Sequence, residues 1–129
     1  MEDIREIISE TIDQTISKLK MARLMKDEQQ STFQKTEKVL RDYNNLKKAH
    51  SEEGTATRFI EIIDEALKQI QDDDYFDIIP MIYFEGRTRE EVAEFFDVTV
   101  TSVSRNKTRL INKLKTYIFA DDVIRELFL

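Results

Sequence analysis

Cysteine is absent from the chain, proline occurs once and glycine twice in 129 residues. Without cysteine there is neither a disulfide scaffold nor a thiolate metal site. So few breakers leave little material for the turns of a many-stranded fold and point to long helices. Histidine occurs once, as His50 in the polar stretch 50–54, where a solvated side chain is expected rather than a ligand or a base. The acidic run Asp72-Asp73-Asp74 lacks the alternating oxygen ligands and the glycine of a calcium loop, so its expected use is to cap a helix. No glycine-rich phosphate cradle and no nucleophile–base constellation can be assembled, which argues against an enzyme and against a resident cofactor or metal. No apolar run is long enough to span a bilayer, and the opening Met-Glu-Asp lacks the basic start of a signal peptide. The expectation is a cytoplasmic protein with no membrane association.

What is present is a helical protein laced with surface charge. Apolar residues make up 40% and charged residues 36%, a composition that folds, at a length suited to one compact domain or two small units. The net charge of -6 is unevenly spread. From Val98 to Ala120 there are Arg105, Lys107, Arg109, Lys113 and Lys115 and no acid, so this stretch carries +5 and the remainder -11. A basic face on an otherwise acidic chain can fix how it meets a polyanion.

Apolar spacing at three and four residues predicts successive helices. Ile4, Ile8, Ile12, Ile16 and Leu19 mark one over 2–26, either a core-facing helix of a bundle or a dimerising coiled coil. Phe33, Val39, Leu40, Tyr43 and Leu46 mark a second, from Ser31 or Thr32 to Ala49, weakened by Asn44-Asn45. After the linker 50–54, Phe59, Ile62, Ile63, Ala66, Leu67 and Ile70 mark a third, over 55–71. A nearly all-apolar helix is expected over 74–85, the most buried element, kinked at Pro80 and closed by Gly86. A short Asp-capped helix is expected over 121–129. The organisation is all-α: an N-terminal helical region, 1–53, and a C-terminal unit, 55–129.

Residues 86–118 are the informative stretch. Thr88 with Glu91 three residues on is a capping box opening a short helix whose Val92, Ala93 and Phe96 face inward. The helix stops at Asp97-Val98, with Asp97 in a left-handed conformation, and Thr99 caps the next helix. On a wheel of about 100° per residue, Val100, Val103, Leu110, Leu114, Tyr117 and Ile118 fall on one side. Thr101, Ser102, Arg105, Arg109 and Asn112 fall opposite, flanked by Ser104 and Thr108. Arginine can bond guanine bidentately, and Ser, Thr and Asn supply short donors and acceptors for base edges and phosphates. This is the expected reading face of a DNA-binding helix-turn-helix, with Thr99, Lys107 and Lys113 adding contacts. Arg87, Thr88 and Arg89 are expected on the phosphate backbone at the first helix's N-terminus.

Residues 86–115 resemble the C-terminal DNA-binding part of bacterial sigma factors, region 4, in the Gly-x-Thr opening and in the turn Phe96-Asp97-Val98-Thr99. They share too the apolar Val103 and the basic Lys113-Leu114 end. This resemblance implies base-facing positions at Val100, Thr101, Ser104 and Arg105, although the wheel turns Val100 inward. The residues at three of these positions differ from the charged and amide side chains usual there, which implies a target other than the usual promoter element. Nothing resembles the sigma domains that grip the polymerase core or melt DNA. A wider resemblance covers KTEKVLRDY (35–43), FIEIIDEAL (59–67), DDDYFDIIPMIYFEG (72–86) and VSRNKTRLINKL (103–114). These stretches resemble the ArpU/RinA-type transcriptional regulators of phages and prophages of Gram-positive bacteria. The resemblance implies a sequence-specific activator of late genes for packaging, morphogenesis and lysis, acting on double-stranded promoter DNA. Host RNA polymerase is a candidate partner, through the acidic N-terminal helices, and a homodimer is a candidate state. The alternative is a terminase small subunit, also small, helical and DNA-binding, which works as a ring that hands DNA to a packaging motor.

Overall fold

A computed structural model of the chain describes residues 30–49 and 55–120. The expected helices over 2–26 and 121–129 lie outside the described residues, as does His50. What is described is all helical, with no strand: α1 (Thr32–Ala49), α2 (Thr55–Ile70), a π-helical segment (Pro80–Phe84), α3 (Arg89–Phe96) and α4 (Val100–Ile118). Among the described residues no helix is long and apolar enough to cross a membrane.

Helix starts follow local chemistry. Ser31 and Gln34 form a capping box at α1: the Gln34 N–H donates to Ser31 Oγ at 3.2 Å and the Ser31 N–H to Gln34 Oε1 at 3.1 Å. α1 buries Val39, Leu40, Tyr43 and Leu46, and Thr36 turns its hydroxyl back to the Thr32 carbonyl at 2.8 Å. α2 buries Phe59, Ile60, Ile62, Ile63, Ala66 and Ile70. These faces close on Leu110, Ile111, Leu114 and Ile118 of α4 to make the main core. The sequence boundary at 53–55 therefore divides no core, because α1 packs on α2 and on α4 alike.

The stretch expected as one kinked helix over 74–85 is not one helix. Residues 71–77 form consecutive turns, helix begins only at Ile78, and Pro80 opens a π-helical turn in which the Glu85 N–H reaches the Pro80 carbonyl at 2.9 Å. Proline is tolerated there because an opening position needs no N–H donor, and the wider turn avoids the clash it would cause in an α-helix. Gly86 follows with φ 68°, and the Arg87 N–H closes on the Met81 carbonyl at 2.9 Å. Asn44, which sequence reading treats as a weak point of α1, donates its side-chain N–H to the Phe84 carbonyl at 3.2 Å.

This segment is a pivot between two cores. Ile79 and Tyr83 enter the main core; Ile78 and Met81 enter a second, smaller one with Val92, Ala93 and Val103. α4 spans both, with Val103 in the small core and its later apolar residues in the large one.

Candidate nucleic-acid interface

The corner between α3 and α4 is set by three local devices. Thr88 Oγ1 accepts the Glu91 N–H at 3.2 Å while Glu91 Oε1 accepts the Thr88 N–H at 3.4 Å, so the capping box is complete. α3 ends on Asp97, at φ 54° and ψ 49°. The Val98 N–H bonds the Ala93 carbonyl at 3.0 Å and the Asp97 N–H the Glu94 carbonyl at 3.2 Å, a Schellman ending with aspartate where glycine is usual. Thr99 then caps α4, accepting the Ser102 N–H at 3.1 Å. Val98 packs against the small core, which sets the exit direction of the chain.

On α4, Thr101, Arg105 and Thr108 are exposed along one strip, at intervals of four and three residues, and half-buried Asn112 continues it. Among the described residues, Arg105 has no ion-pair partner. Ser104 lies at the edge of the strip and accepts a bond from Arg89 Nη1 at 3.2 Å, tying the exposed start of α3 to α4. Ser102 is half-buried, and its carbonyl takes the Asn106 side-chain N–H at 2.9 Å. Arg87 is exposed and lies 3.5 Å from the Glu85 carboxylate. Thr88 and Thr99 are exposed, their hydroxyls already engaged as caps.

The remaining cations of the expected reading face are held from within. Arg109 makes a bidentate pair with Asp73, Nη1 to Oδ2 at 2.6 Å and Nη2 to Oδ1 at 2.9 Å, and its Nη2 also donates to Asn106 Oδ1 at 3.1 Å. Lys113 Nζ stands 3.9 Å from the same Asp73 carboxylate, and Lys107 Nζ 3.7 Å from Glu37. The Arg109 guanidinium holds the Asp73 carboxyl at about 2, below its ordinary 3.8; burial opposes this and the Tyr75 N–H reinforces it. The bond to Asp73 in turn raises Arg109 above its ordinary value. Glu37 accepts from the Tyr83 hydroxyl at 2.6 Å and lies 3.6 Å from Arg41, so it joins α1, the π segment and α4. Burial, then the bond to Glu37, pushes the Tyr83 phenol far up.

Two placements differ from the wheel. Val100 is 36% exposed and Tyr117 43%, although both fall on the inward side of the wheel. Val100 precedes the packed part of α4, which a wheel does not record, whereas Tyr117 lies at the edge of an arc whose middle is taken by Leu114 and Ile118. Conversely Ile111 is fully buried and the wheel reading omits it. α4 packs against α1, α2 and α3, so its buried arc is wider than a single apolar stripe.

Sequence reasoning missed Asp73 as a partner of this surface. The run 72–74 is expected to cap a helix, but the next helix begins only at Ile78, and Asp73 Oδ1 accepts the Tyr75 N–H at 2.9 Å within a turn. Its pairing with a residue 36 positions away has no local signal. The Asn106–Arg109 contact, at a spacing of three on one helix, was legible from the spacing. Against known proteins, no family model, no curated protein and no solved structure matches this chain.

Proposed function

We propose that this chain is a sequence-specific double-stranded DNA-binding regulator that reads the major groove with α4. The observation that carries the reading is the outer strip of α4. Thr101, Arg105 and Thr108 are exposed together on an acid-free helix, and a capped short helix and a left-handed turn fix that helix at its start. Small hydroxyls beside an arginine with no ion-pair partner among the described residues suit base edges, and Arg87 and Arg89 at the start of α3 suit the flanking phosphates. The resemblance to ArpU/RinA-type regulators supports transcriptional activation of phage or prophage late genes as the biological role, with host RNA polymerase as the partner in activation.

Selection of bound duplexes from a random pool tests this. A defined motif is expected, bound with an affinity that falls steeply as salt rises. A pool that fails to converge, with a flat salt response, would overturn the reading. Two-fold symmetry in the motif would assign a dimer, since half-site symmetry mirrors protein symmetry. Rings assembled on a packaging site, without protection near a promoter, would move the protein to the terminase small-subunit class.

A further inference from the structure

We infer that Asp73 is a specificity-determining residue of this surface: it withholds Arg109 from the phosphate backbone and leaves base choice to Thr101, Arg105 and Thr108. The inference rests on the DNA-binding reading above.

The geometry leaves Arg109 little to give. A guanidinium has five N–H donors. Nη1 and Nη2 each spend one on Asp73, and Nη2 and Nε each direct one at Asn106 Oδ1, at 3.1 and 3.4 Å. One N–H remains, whereas bidentate reading of guanine needs two. Asp73 is itself held: its side chain is 16% exposed, its Oδ1 takes the Tyr75 N–H, and its backbone N–H and carbonyl bond Ile70 and Phe76 at 3.0 Å each. A carboxylate fixed in this way occupies the guanidinium as a phosphate would, so exchanging one for the other gains little. Arg105, on the same helix, has no bond among the described residues to surrender on meeting DNA. The cost of this arrangement is weaker backbone attraction; the consequence is selectivity, because phosphate contacts bind every sequence equally.

Asp73→Asn separates the possibilities, because the amide keeps an oxygen for the Tyr75 N–H and the side-chain volume while removing the charge. The variant is expected to bind random-sequence duplex roughly tenfold more tightly, with a log–log salt slope steeper by about one. Affinity for the selected site should rise less, so the specificity ratio falls. The gain should vanish in Asp73→Asn/Arg109→Gln. Unchanged or weaker binding of random duplex by a folded Asp73→Asn protein would overturn the inference. The native chain supplies a measurement independent of how the variant folds. On titration with the selected duplex, the Arg105 side-chain Nε–H resonance should shift while that of Arg109 stays in place and protected from exchange. Equal shifts would place Arg109 on the DNA and overturn the inference. If Arg105 responds and Asp73→Asn gains nothing, only the role of Asp73 falls. If neither Arg105 nor Arg109 responds and Arg105→Ala leaves binding unchanged, the DNA-binding reading falls and takes the inference with it.

Discussion

The two halves of α4 carry the same sign of charge and use it differently. In the first half, Val103 anchors a small core of five buried residues, and Thr101, Arg105 and Thr108 face outward. In the second half, Leu110, Ile111, Leu114 and Ile118 lie in the main core, and three of the four cations around them are drawn back to acids of other elements: Arg109 and Lys113 to Asp73, and Lys107, at the junction, to Glu37. A basic helix is therefore not a uniform reading surface. The second half holds the helix in place, and the first half is left with unengaged groups.

The largest expected effect comes from removing the anchor. Leu114→Ala should cost about 2–5 kcal/mol of stability, because a fully buried side chain in a three-helix contact leaves a cavity that the neighbours cannot refill. Chemical denaturation measures it; a loss well under 1 kcal/mol would show that the second half is not the anchor. Next is Arg105→Ala, which should weaken binding to the selected site by about 1–3 kcal/mol and relax base choice, with the thermal midpoint unchanged. An equal loss on random duplex would demote Arg105 from base reading to phosphate contact.

Acid should separate the halves without a mutation. The Asp73 carboxyl sits at about 2 when folded, against an ordinary 3.8. A depressed carboxylate adds stability above its unfolded value and loses it as pH falls, so the contribution should disappear between about pH 4 and pH 2. The step should be about 1 kcal/mol, since Arg109 is 40% exposed and solvent screens the pair. In Asp73→Asn the step should be missing from the acid denaturation curve. Thr88→Ala removes half of the capping box on α3 and should cost about 1 kcal/mol, read as a lower thermal midpoint. The smallest effect expected is Asp97→Gly, stabilising by up to about 1 kcal/mol, because glycine adopts φ 54° without the steric penalty of a side chain. Asp97→Val should instead destabilise, and the pair of variants calibrates how far the turn governs the first half.

Much of the first half was legible in the chain. The Thr88/Glu91 box, the left-handed Asp97, the Thr99 cap and the inward Val92, Ala93 and Val103 all depend on residues within a few positions of one another. The second half was legible only in its apolar stripe. Arg109 on a wheel looks as free as Arg105, and only the turn over 71–77, folded back alongside α4, distinguishes them. Pro80 predicts a kink in one helix over 74–85, but the form found, a π-helical turn whose Met81 and Tyr83 enter different cores, depends on what packs on each side.

By itself the sequence determined that this protein is helical, where α1, α3 and α4 start, where α3 stops, and that one helix concentrates positive charge. Those features come from propensity, capping and periodicity, which act over one or two turns of chain. The tertiary structure decided which of those charges remain available. An ion pair across 36 residues depends on a fold that places a turn beside a helix, and no spacing along the chain encodes that distance.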